Sequence, residues 1–117
     1  MRLKVYISGP ITKGSRNANF FQACEAEYQL MLAGFAPLNP ARSIILPFAW
    51  QDDMPHELWL ECDLPWVAAS DAVLRLPGES TGADEECRYA VQHNIPTFVS
   101  IKFLEHWRDH RRVAKAT

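Results

Sequence analysis

The sequence predicts an α/β fold, a small Rossmann-like or flavodoxin-like three-layer sandwich around a parallel sheet of four to five strands. Short β-prone runs alternate with helical stretches along the chain, which is typical of parallel sheets with right-handed crossovers. The 117 residues fit one domain, residues 1–117, which is long enough to bury a core. Apolar residues make up 48% and charged residues 22%, a composition that excludes a disordered chain.

The first half of the chain is predicted to contain two strands and one helix. Residues 3–7 are a β-prone run, and residues 11–16 form a polar loop. We expect the helix to be capped near Asn17 or Asn19, and the second strand to cover residues 35–38. The apolar stripe of this helix comprises Phe21, Cys24, Tyr28, Met31 and Leu32.

The second half begins with an irregular stretch, residues 41–55, that contains the aromatic residues Phe48 and Trp50. It is long for a connection in so small a domain, and such loops are often functional lids. A helical stretch follows over residues 56–70, and we expect Pro65 to break or kink it. The remaining elements are a strand over 71–76, a helix over 81–93, a strand over 96–101 and a helix over 103–113.

Charge, hydropathy and cysteine content exclude several classes of protein. The net charge of −2 and the pI near 6.0 give no global basic field for nucleic acid. No apolar run approaches the roughly 20 residues that span a bilayer, and the polar N-terminus is unlike a signal peptide. Three distant cysteines without a Cys-x-x-Cys motif argue against a disulfide framework or a zinc site. We therefore expect a cytoplasmic protein.

The first candidate binding segment follows the first strand. In parallel α/β sheets, ligands bind outside the carboxyl ends of the strands. Glycines, hydroxyls and two cations between a strand and a helix suit an anion such as phosphate. A tight β–α connection that needs glycine is the alternative, since neither a Walker A loop nor Gly-x-Gly-x-x-Gly is present. The candidate residues are Ser8, Gly9, Pro10, Ile11, Lys13, Gly14 and Arg16.

The second candidate segment, residues 80–86, follows the third strand and carries Ser80, Gly82 and three acids. Acids in a first helical turn are favoured by the helix dipole. The stripe of Ala83, Cys87, Ala90 and Val91 predicts that Glu86 points inward, toward the ends of the strands. A half-buried carboxylate needs either a catalytic role or a core ion pair, here with Arg75 or Arg88.

Other polar residues carry weaker signals. Asp71 starts the third strand, far from its carboxyl end, and is interpreted as structural, whereas Asp63 is either a cap or a ligand-facing acid. His106 and His110 have metal-ligand spacing but no third ligand, so a solvated face is the simpler interpretation, and no metal or organic cofactor is expected. A basic face for a partner subunit is expected at Trp107, Arg108, Arg111 and Arg112.

Three motifs occur in a fixed order along the chain. They are Tyr6-Ile7-Ser8-Gly9-Pro10, then Asp63-Leu64 eight residues before Asp71, then Ser80-Thr81-Gly82 with Glu86 and Ala90. Together they resemble the nucleoside 2-deoxyribosyltransferase-like superfamily. Asn39-Pro40 and Leu76-Pro77-Gly78 add a likeness to its small DUF4406 branch. The resemblance extends over roughly residues 3 to 101.

The resemblance implies catalytic roles for three residues. Glu86 occupies the position of a nucleophile that attacks C1′ of a ribosyl or deoxyribosyl group, by the logic of retaining glycosidases. Asp63 matches the acid near the departing base, and Tyr6 would orient Glu86. If water then attacks the glycosyl-enzyme, the protein is a hydrolase. If a second base attacks it, the protein is a transferase.

The serine at position 80 resembles the one that the nucleoside 5′-monophosphate N-glycosidases have at this position. A serine hydroxyl can donate to a phosphate, whereas an aspartate would repel it. Lys13 and Arg16 also fit that branch. The resemblance further implies a small-molecule nucleotide or nucleoside as ligand and a homodimer or higher homo-oligomer. Two departures stand against catalysis: Asp84 and Glu85 crowd Glu86, which would raise its pKa.

Three hypotheses follow from the sequence. The leading one is cleavage of the N-glycosidic bond of a nucleoside 5′-monophosphate, with base exchange by a deoxyribosyltransferase as its alternative. The second is a non-catalytic nucleotide-binding module in which Glu86 is structural. The third is a subunit whose function lies in its surface.

Overall fold

The structure is a computed structural model that describes the backbone of residues 1–41 and 54–116 and the side chains of residues 1–41 and 54–111. The stretch predicted to be an irregular lid, with Phe48 and Trp50, lies almost entirely outside the described residues. In chain order the elements are β1 (Lys4–Ser8), α1 (Arg16–Leu32), β2 (Ala36–Leu38), α2 (His56–Ala68), β3 (Ala72–Arg75), α3 (Thr81–Gln92), β4 (Thr97–Phe98) and α4 (Ile101–Ala116).

The described strands form one parallel sheet in the order β2-β1-β3-β4. β1 is an inner strand, and Val5 pairs in register with Pro37 on one side and Ala72 on the other. The α/β class, the parallel sheet and the sandwich architecture predicted from the alternation of elements are therefore confirmed.

Side chains of β1 alternate between the two faces of the sheet, as the period of a strand requires. Val5 and Ile7 join the larger core cluster with α1 and α4, which contribute Leu30 and Leu104. Tyr6 joins the second cluster. That cluster also contains Val67 of α2, Val73 of β3 and Ala90 of α3. The alternation thus sends Tyr6 and Ser8 toward α2 and α3.

The predicted buried face of α1 is wrong. The large apolar residues of the expected stripe are mostly exposed: Phe21, Tyr28, Met31 and Leu32. The helix instead buries Ala23, Ala26, Glu27 and Leu30 against the sheet. Small alanines allow the helix backbone to approach the strands closely, and this packing outweighs the size of the side chains on the other face. The helix also starts earlier than predicted, because Ser15 is its N-cap and accepts from the Ala18 amide at 3.2 Å.

Three other features differ from the predictions. α2 continues through Pro65 to Ala68, so the predicted break does not occur. Val91, predicted to lie in the apolar stripe of α3, is exposed. β4 is shorter than predicted because α4 begins at Ile101, where the Ser100 hydroxyl accepts from the Phe103 amide at 3.2 Å.

Within the described parts of the chain, no helix combines the length and the apolar character that a bilayer-spanning segment requires.

Candidate active site

Glu86 lies on the inner face of α3 with both carboxylate oxygens hydrogen-bonded. Tyr6 Oη donates to Oε2 at 2.5 Å, and Ser8 Oγ donates to Oε1 at 2.7 Å. Glu86 is 7% exposed and Tyr6 and Ser8 are fully buried. The prediction that Glu86 points inward is confirmed, and its partners come from the alternating residues of β1.

Burial controls the titration of this group. It raises the pKa of Glu86, while the hydrogen bonds from Tyr6 and Ser8 oppose the rise. Burial, followed by the charge of Glu86, also raises the pKa of Tyr6 far above its usual value, so the phenol stays protonated and remains a donor.

Asp63 lies in the interior of α2, half-buried, and lines the same cavity as Glu86. Pro55 occupies the N-cap position of α2, so the interpretation of Asp63 as a cap is wrong. Burial raises the pKa of Asp63 to about 6, and a hydrogen bond with the Tyr6 hydroxyl opposes that rise.

The structural alternative for Glu86 is an ion pair with Arg75 or Arg88. Among the described residues, no basic group forms an ion pair with Glu86. The Arg75 guanidinium instead contacts Asp84 Oδ1 at 3.0 Å and donates to backbone carbonyls of the turn after β3. Its charge still lowers the pKa of Glu86 from a distance.

The acids beside Glu86 are turned away from it. Asp84 binds Arg75, and Glu85 Oε1 lies 3.3 Å from His56 Nε2. Burial is the main cause that raises the pKa of Glu86, and the charge of Asp63 is the second. The prediction that Asp84 and Glu85 raise this pKa is therefore wrong.

A cavity of about 520 Å³ opens above the two carboxyl groups. Three segments line it: the loop between β1 and α1, one face of α2, and the first turn of α3. The lining residues are Gly9, Ile11, Thr12, Lys13, Arg16, Pro40, His56, Trp59, Leu60, Asp63, Ser80, Thr81, Gly82, Ala83 and Glu86.

Most of the residues predicted as ligand contacts from the loops line this cavity: Gly9, Ile11, Lys13, Arg16, Ser80 and Gly82. Ser8, Pro10 and Gly14 are not among the lining residues, and their role as ligand contacts stays a prediction. Ser8 is fully buried, and its hydroxyl donates a hydrogen bond to Glu86. Gly14 lies in the exposed part of the loop.

Two glycines allow the loops around the cavity to pack closely. A Cβ on Gly9 would lie 2.9 Å from Leu76 Cβ, so the loop after β1 passes directly over the end of β3. Gly78 has a φ of +114°, and a Cβ there would lie 2.9 Å from Pro10 Cγ. Pro10 thus packs on the turn after β3.

Sequence reasoning missed the wall of the cavity that α2 supplies. His56, Trp59, Leu60 and Asp63 follow the spacing i, i+3, i+4, i+7, which places them on one face of a helix. This spacing could have revealed the face once Asp63 was suspected as a ligand-facing acid.

The remaining candidates lie away from the cavity. The backbone amide of Lys4 donates to Asp71 Oδ2 at 2.8 Å, which supports the structural interpretation of Asp71. The ring centroids of His106 and His110 lie 3.9 Å apart, with the ring planes tilted by 35°. The described residues contain no cluster of three or more His, Cys, Asp or Glu side chains that could hold a metal ion.

The predicted basic face on α4 is only partly present. Arg111 lies over the ring of Trp107 at 5.2 Å. Arg108, however, turns inward, stacks on Phe35 and donates to the Ala33 carbonyl at 2.5 Å. The side chain of Arg112 lies outside the described residues.

Comparison with known protein families identifies the chain. Residues 3–99 match the family model described as a domain of unknown function, DUF4406. The chain belongs to the DUF4406 family. No curated protein sequence matches it.

The fold of this chain is also similar to that of a protein of known structure. A 2-deoxyribosyltransferase from the psychrotolerant bacterium Bacillus psychrosaccharolyticus has a similar structure, with a TM-score of 0.60 and 18% sequence identity. The match covers 80% of this chain and 69% of that one. At this level of identity the similarity shows a shared fold, which agrees with the resemblance to the deoxyribosyltransferase-like superfamily.

Proposed function

We propose that the protein hydrolyses the N-glycosidic bond of a nucleoside 5′-monophosphate, with Glu86 as nucleophile, and releases the free base. The observation that carries this proposal is the state of Glu86. It is a buried carboxylate at a cavity wall, held by two hydroxyl donors and with no ion pair to a described residue. Burying a carboxylate costs free energy, which the two hydrogen bonds offset only in part, and a catalytic role supplies a reason to keep the group there.

In the first half of the proposed reaction, a Glu86 oxygen attacks C1′ of the sugar. The bond between C1′ and the base nitrogen breaks, and its electron pair goes to the base. Asp63 gives its proton to that base. A pKa of about 6 suits Asp63 to this role, because a fraction of the protein keeps the proton near neutral pH and that proton is readily lost.

In the second half, water attacks C1′ and passes a proton to Asp63. The bond between C1′ and Glu86 breaks, which restores the Glu86 carboxylate. The two halves follow the double displacement of retaining glycosidases, in which one residue acts first as acid and then as base.

One end of the cavity suits a 5′-phosphate. Ser80 caps α3 by accepting from the Ala83 amide at 3.0 Å, so its hydroxyl hydrogen can point toward a ligand. Lys13 forms an ion pair with Glu79 at 2.9 Å, with both side chains mostly exposed. Exposed pairs of this kind are weak, so a phosphate dianion can compete for Lys13. The positive end of the α3 dipole adds to this attraction.

The α2 wall suits the base. Trp59 and Leu60 present apolar surface to the cavity, one helical turn before Asp63. A planar base lying against them would have its leaving nitrogen near the Asp63 carboxyl group.

Base exchange is the second candidate. The fold is shared with a 2-deoxyribosyltransferase, whose name describes transfer rather than hydrolysis. The same Glu86 intermediate would then react with a second base instead of water.

A base-release assay tests the proposal. Purified protein is incubated with a panel of ribo- and deoxyribonucleoside 5′-monophosphates and the matching nucleosides, and free base is measured by HPLC. We expect release from at least one monophosphate, and a lower kcat/KM for the nucleoside that lacks the phosphate. Adding a second base separates hydrolysis from exchange, since exchange yields a new nucleoside or nucleotide.

Glu86→Gln is the decisive variant, and Glu85→Gln is its matched control one residue away. Glu86→Gln should lower release at least about a thousandfold, because a neutral amide cannot form the ester. Glu85→Gln should retain activity. Equal activity of the Glu86→Gln variant and the wild type would overturn the proposal. Ligand binding without release in the wild type would instead support a nucleotide-binding module.

Two further expectations stay predictions. Light scattering of the purified protein tests the expected homo-oligomer, and fractionation of cells tests the expected cytoplasmic location.

A further inference from the structure

We propose that Arg75 is a positioning residue of the proposed reaction: its guanidinium joins the turn after β3 to the first turn of α3, and this link fixes Glu86 opposite the sugar. The inference rests on the proposed function, because it concerns the attack of Glu86 on C1′. It adds to the site a residue that is not among those that line the cavity.

The Arg75 guanidinium makes three polar contacts. Nη1 donates to the Leu76 carbonyl at 2.5 Å, and Nη2 donates to the Gly78 carbonyl at 3.1 Å. Nη2 also donates to Asp84 Oδ1 at 3.0 Å. The side chain of Arg75 is only 17% exposed, so solvent screens these contacts less than it would at the surface. One group thus links the turn after β3 to the helix that carries Glu86.

The turn that receives Arg75 is also held to the elements that follow β1. The Pro77 carbonyl accepts from Gln22 Nε2 of α1 at 3.1 Å, so three consecutive carbonyls of the turn accept from side chains. Pro10 packs on Gly78, where a Cβ would lie 2.9 Å from Pro10 Cγ. The turn is therefore a fixed support, and Arg75 extends this support to α3.

α3 depends on polar contacts for its position, because the face that it buries is made of small side chains and the site glutamate. Its buried residues are Ala83, Glu86 and Ala90. An alanine methyl group makes far fewer packing contacts than a leucine or phenylalanine side chain, so it resists a shift of the helix less. Asp84 precedes Glu86 by two residues, and a first turn that is fixed at Asp84 limits the movement of Glu86.

The ion pair between Arg75 and Asp84 gains from the way the guanidinium is held. The side chain of Asp84 is 61% exposed, and ion pairs at such positions are weak when both partners are mobile. Here the two carbonyl bonds already hold the guanidinium, so the arginine loses little further side-chain entropy when it binds Asp84. A lysine has no planar fork with which to make all three contacts.

Charge and position can be separated at this residue. The positive charge of Arg75 lowers the pKa of Glu86 from a distance, and any cation there would do so. The positioning role instead needs the two nitrogens of the fork. Arg75→Lys keeps the charge and removes the fork, so its effect reports on position.

Base-release kinetics of Arg75→Lys test the inference. A displacement of about 1 Å can cost about a hundredfold in rate, so we expect kcat to fall roughly tenfold to a hundredfold. KM should change less than about threefold, because the described polar contacts of Arg75 reach neither α2 nor the loop after β1. Arg88→Lys, on α3, is the matched control and should leave both constants unchanged. A wild-type kcat in folded Arg75→Lys would overturn the inference.

Asp84→Asn removes the same link from its other end, at an exposed residue whose substitution the fold should tolerate. It should also lower kcat, and the double variant should lose less than the product of the two single losses. Losses that multiply fully would overturn the inference, since Arg75 would then not act through Asp84. If Arg75→Lys does not fold, an unchanged kcat in Asp84→Asn overturns it alone.

A second measurement needs no turnover. The Tyr6 hydroxyl donates to Glu86 Oε2 at 2.5 Å, so the ¹³Cζ signal of Tyr6 in tyrosine-labelled protein responds to a displacement of Glu86. We expect this signal to shift in Arg75→Lys and in Asp84→Asn but not in Arg88→Lys. An unchanged signal in the first two variants would overturn the positioning role. A shifted signal in a protein that releases no base would reject the proposed reaction while retaining the positioning of Glu86 by Arg75.

Discussion

Asp63→Asn should stabilise the protein at neutral pH, although it removes the proposed acid. Burial raises the pKa of Asp63 from 3.8 to about 6, so the native state binds this proton more tightly than the unfolded chain does. The difference is about two units, or about 3 kcal/mol at 1.36 kcal/mol per unit. Asp63 is only half-buried, and solvent screening reduces this to about 1.5 kcal/mol.

The sign of the pH dependence follows from linkage. Between about pH 4 and pH 6 the native state holds more protons on Asp63 than the unfolded state does, so the free energy of unfolding falls as pH rises. Above that window the full penalty is present, and below it there is none. The asparagine side chain of the variant cannot ionise and escapes the penalty. The gain of Asp63→Asn should therefore be about 1.5 kcal/mol at pH 7.5 and close to zero at pH 3.5.

Urea unfolding of wild type and Asp63→Asn at the two pH values measures this difference. Glu86 also titrates, and loss of the Asp63 charge in the variant removes one cause that raises the pKa of Glu86; this adds to the gain at pH 7.5 and not at pH 3.5, where both carboxyl groups are protonated. Glu61→Gln, which changes an exposed acid on the same helix, should alter stability by less than about 0.5 kcal/mol at either pH. An equal gain at pH 3.5 and 7.5, or a loss at pH 7.5, would refute the reasoning.

The remaining predictions concern packing and the first turn of α3. Gly78→Ala should destabilise the fold by about 1–3 kcal/mol in urea unfolding, because its φ is +114° and the new Cβ would meet Pro10. Leu30→Ala should cost about 2–5 kcal/mol, whereas Phe21→Ala should change stability by less than about 0.5 kcal/mol; similar losses in thermal unfolding would contradict the observed face of α1. Ser80→Ala should cost about 1 kcal/mol by loss of the N-cap, and an unchanged urea midpoint would argue against that cap.

The class and the order of elements could be predicted because alternation of strands and helices is a local property of the sequence. The inward direction of Glu86 could be predicted because α3 carries polar and apolar residues on separate faces. α1 could not be read in the same way, since it has apolar residues on two opposite sides. The choice between Leu30 and Phe21 depends on which side fits the sheet, and that is decided by tertiary packing.

The site could be predicted only in part for a related reason. Ser8 lies in the motif at the end of β1, and this motif predicts a ligand contact. The alternation of side chains along β1 instead directs the Ser8 hydroxyl to Glu86. Trp59 belongs to a helix whose orientation the sequence does not reveal. Local motifs thus indicate which loops meet, whereas the side that each residue faces depends on the register of strands and helices.

The β1 side and the α2 side of the cavity should differ in local stability. Tyr6 and Ser8 belong to an inner strand, so their amide hydrogens should exchange with solvent only when the whole sheet opens. α2 buries Val67 alone among its residues, and its amides should exchange sooner. Substitutions such as Trp59→Phe or Leu60→Met on α2 can therefore reshape the pocket for a different base while the Glu86 side keeps its form.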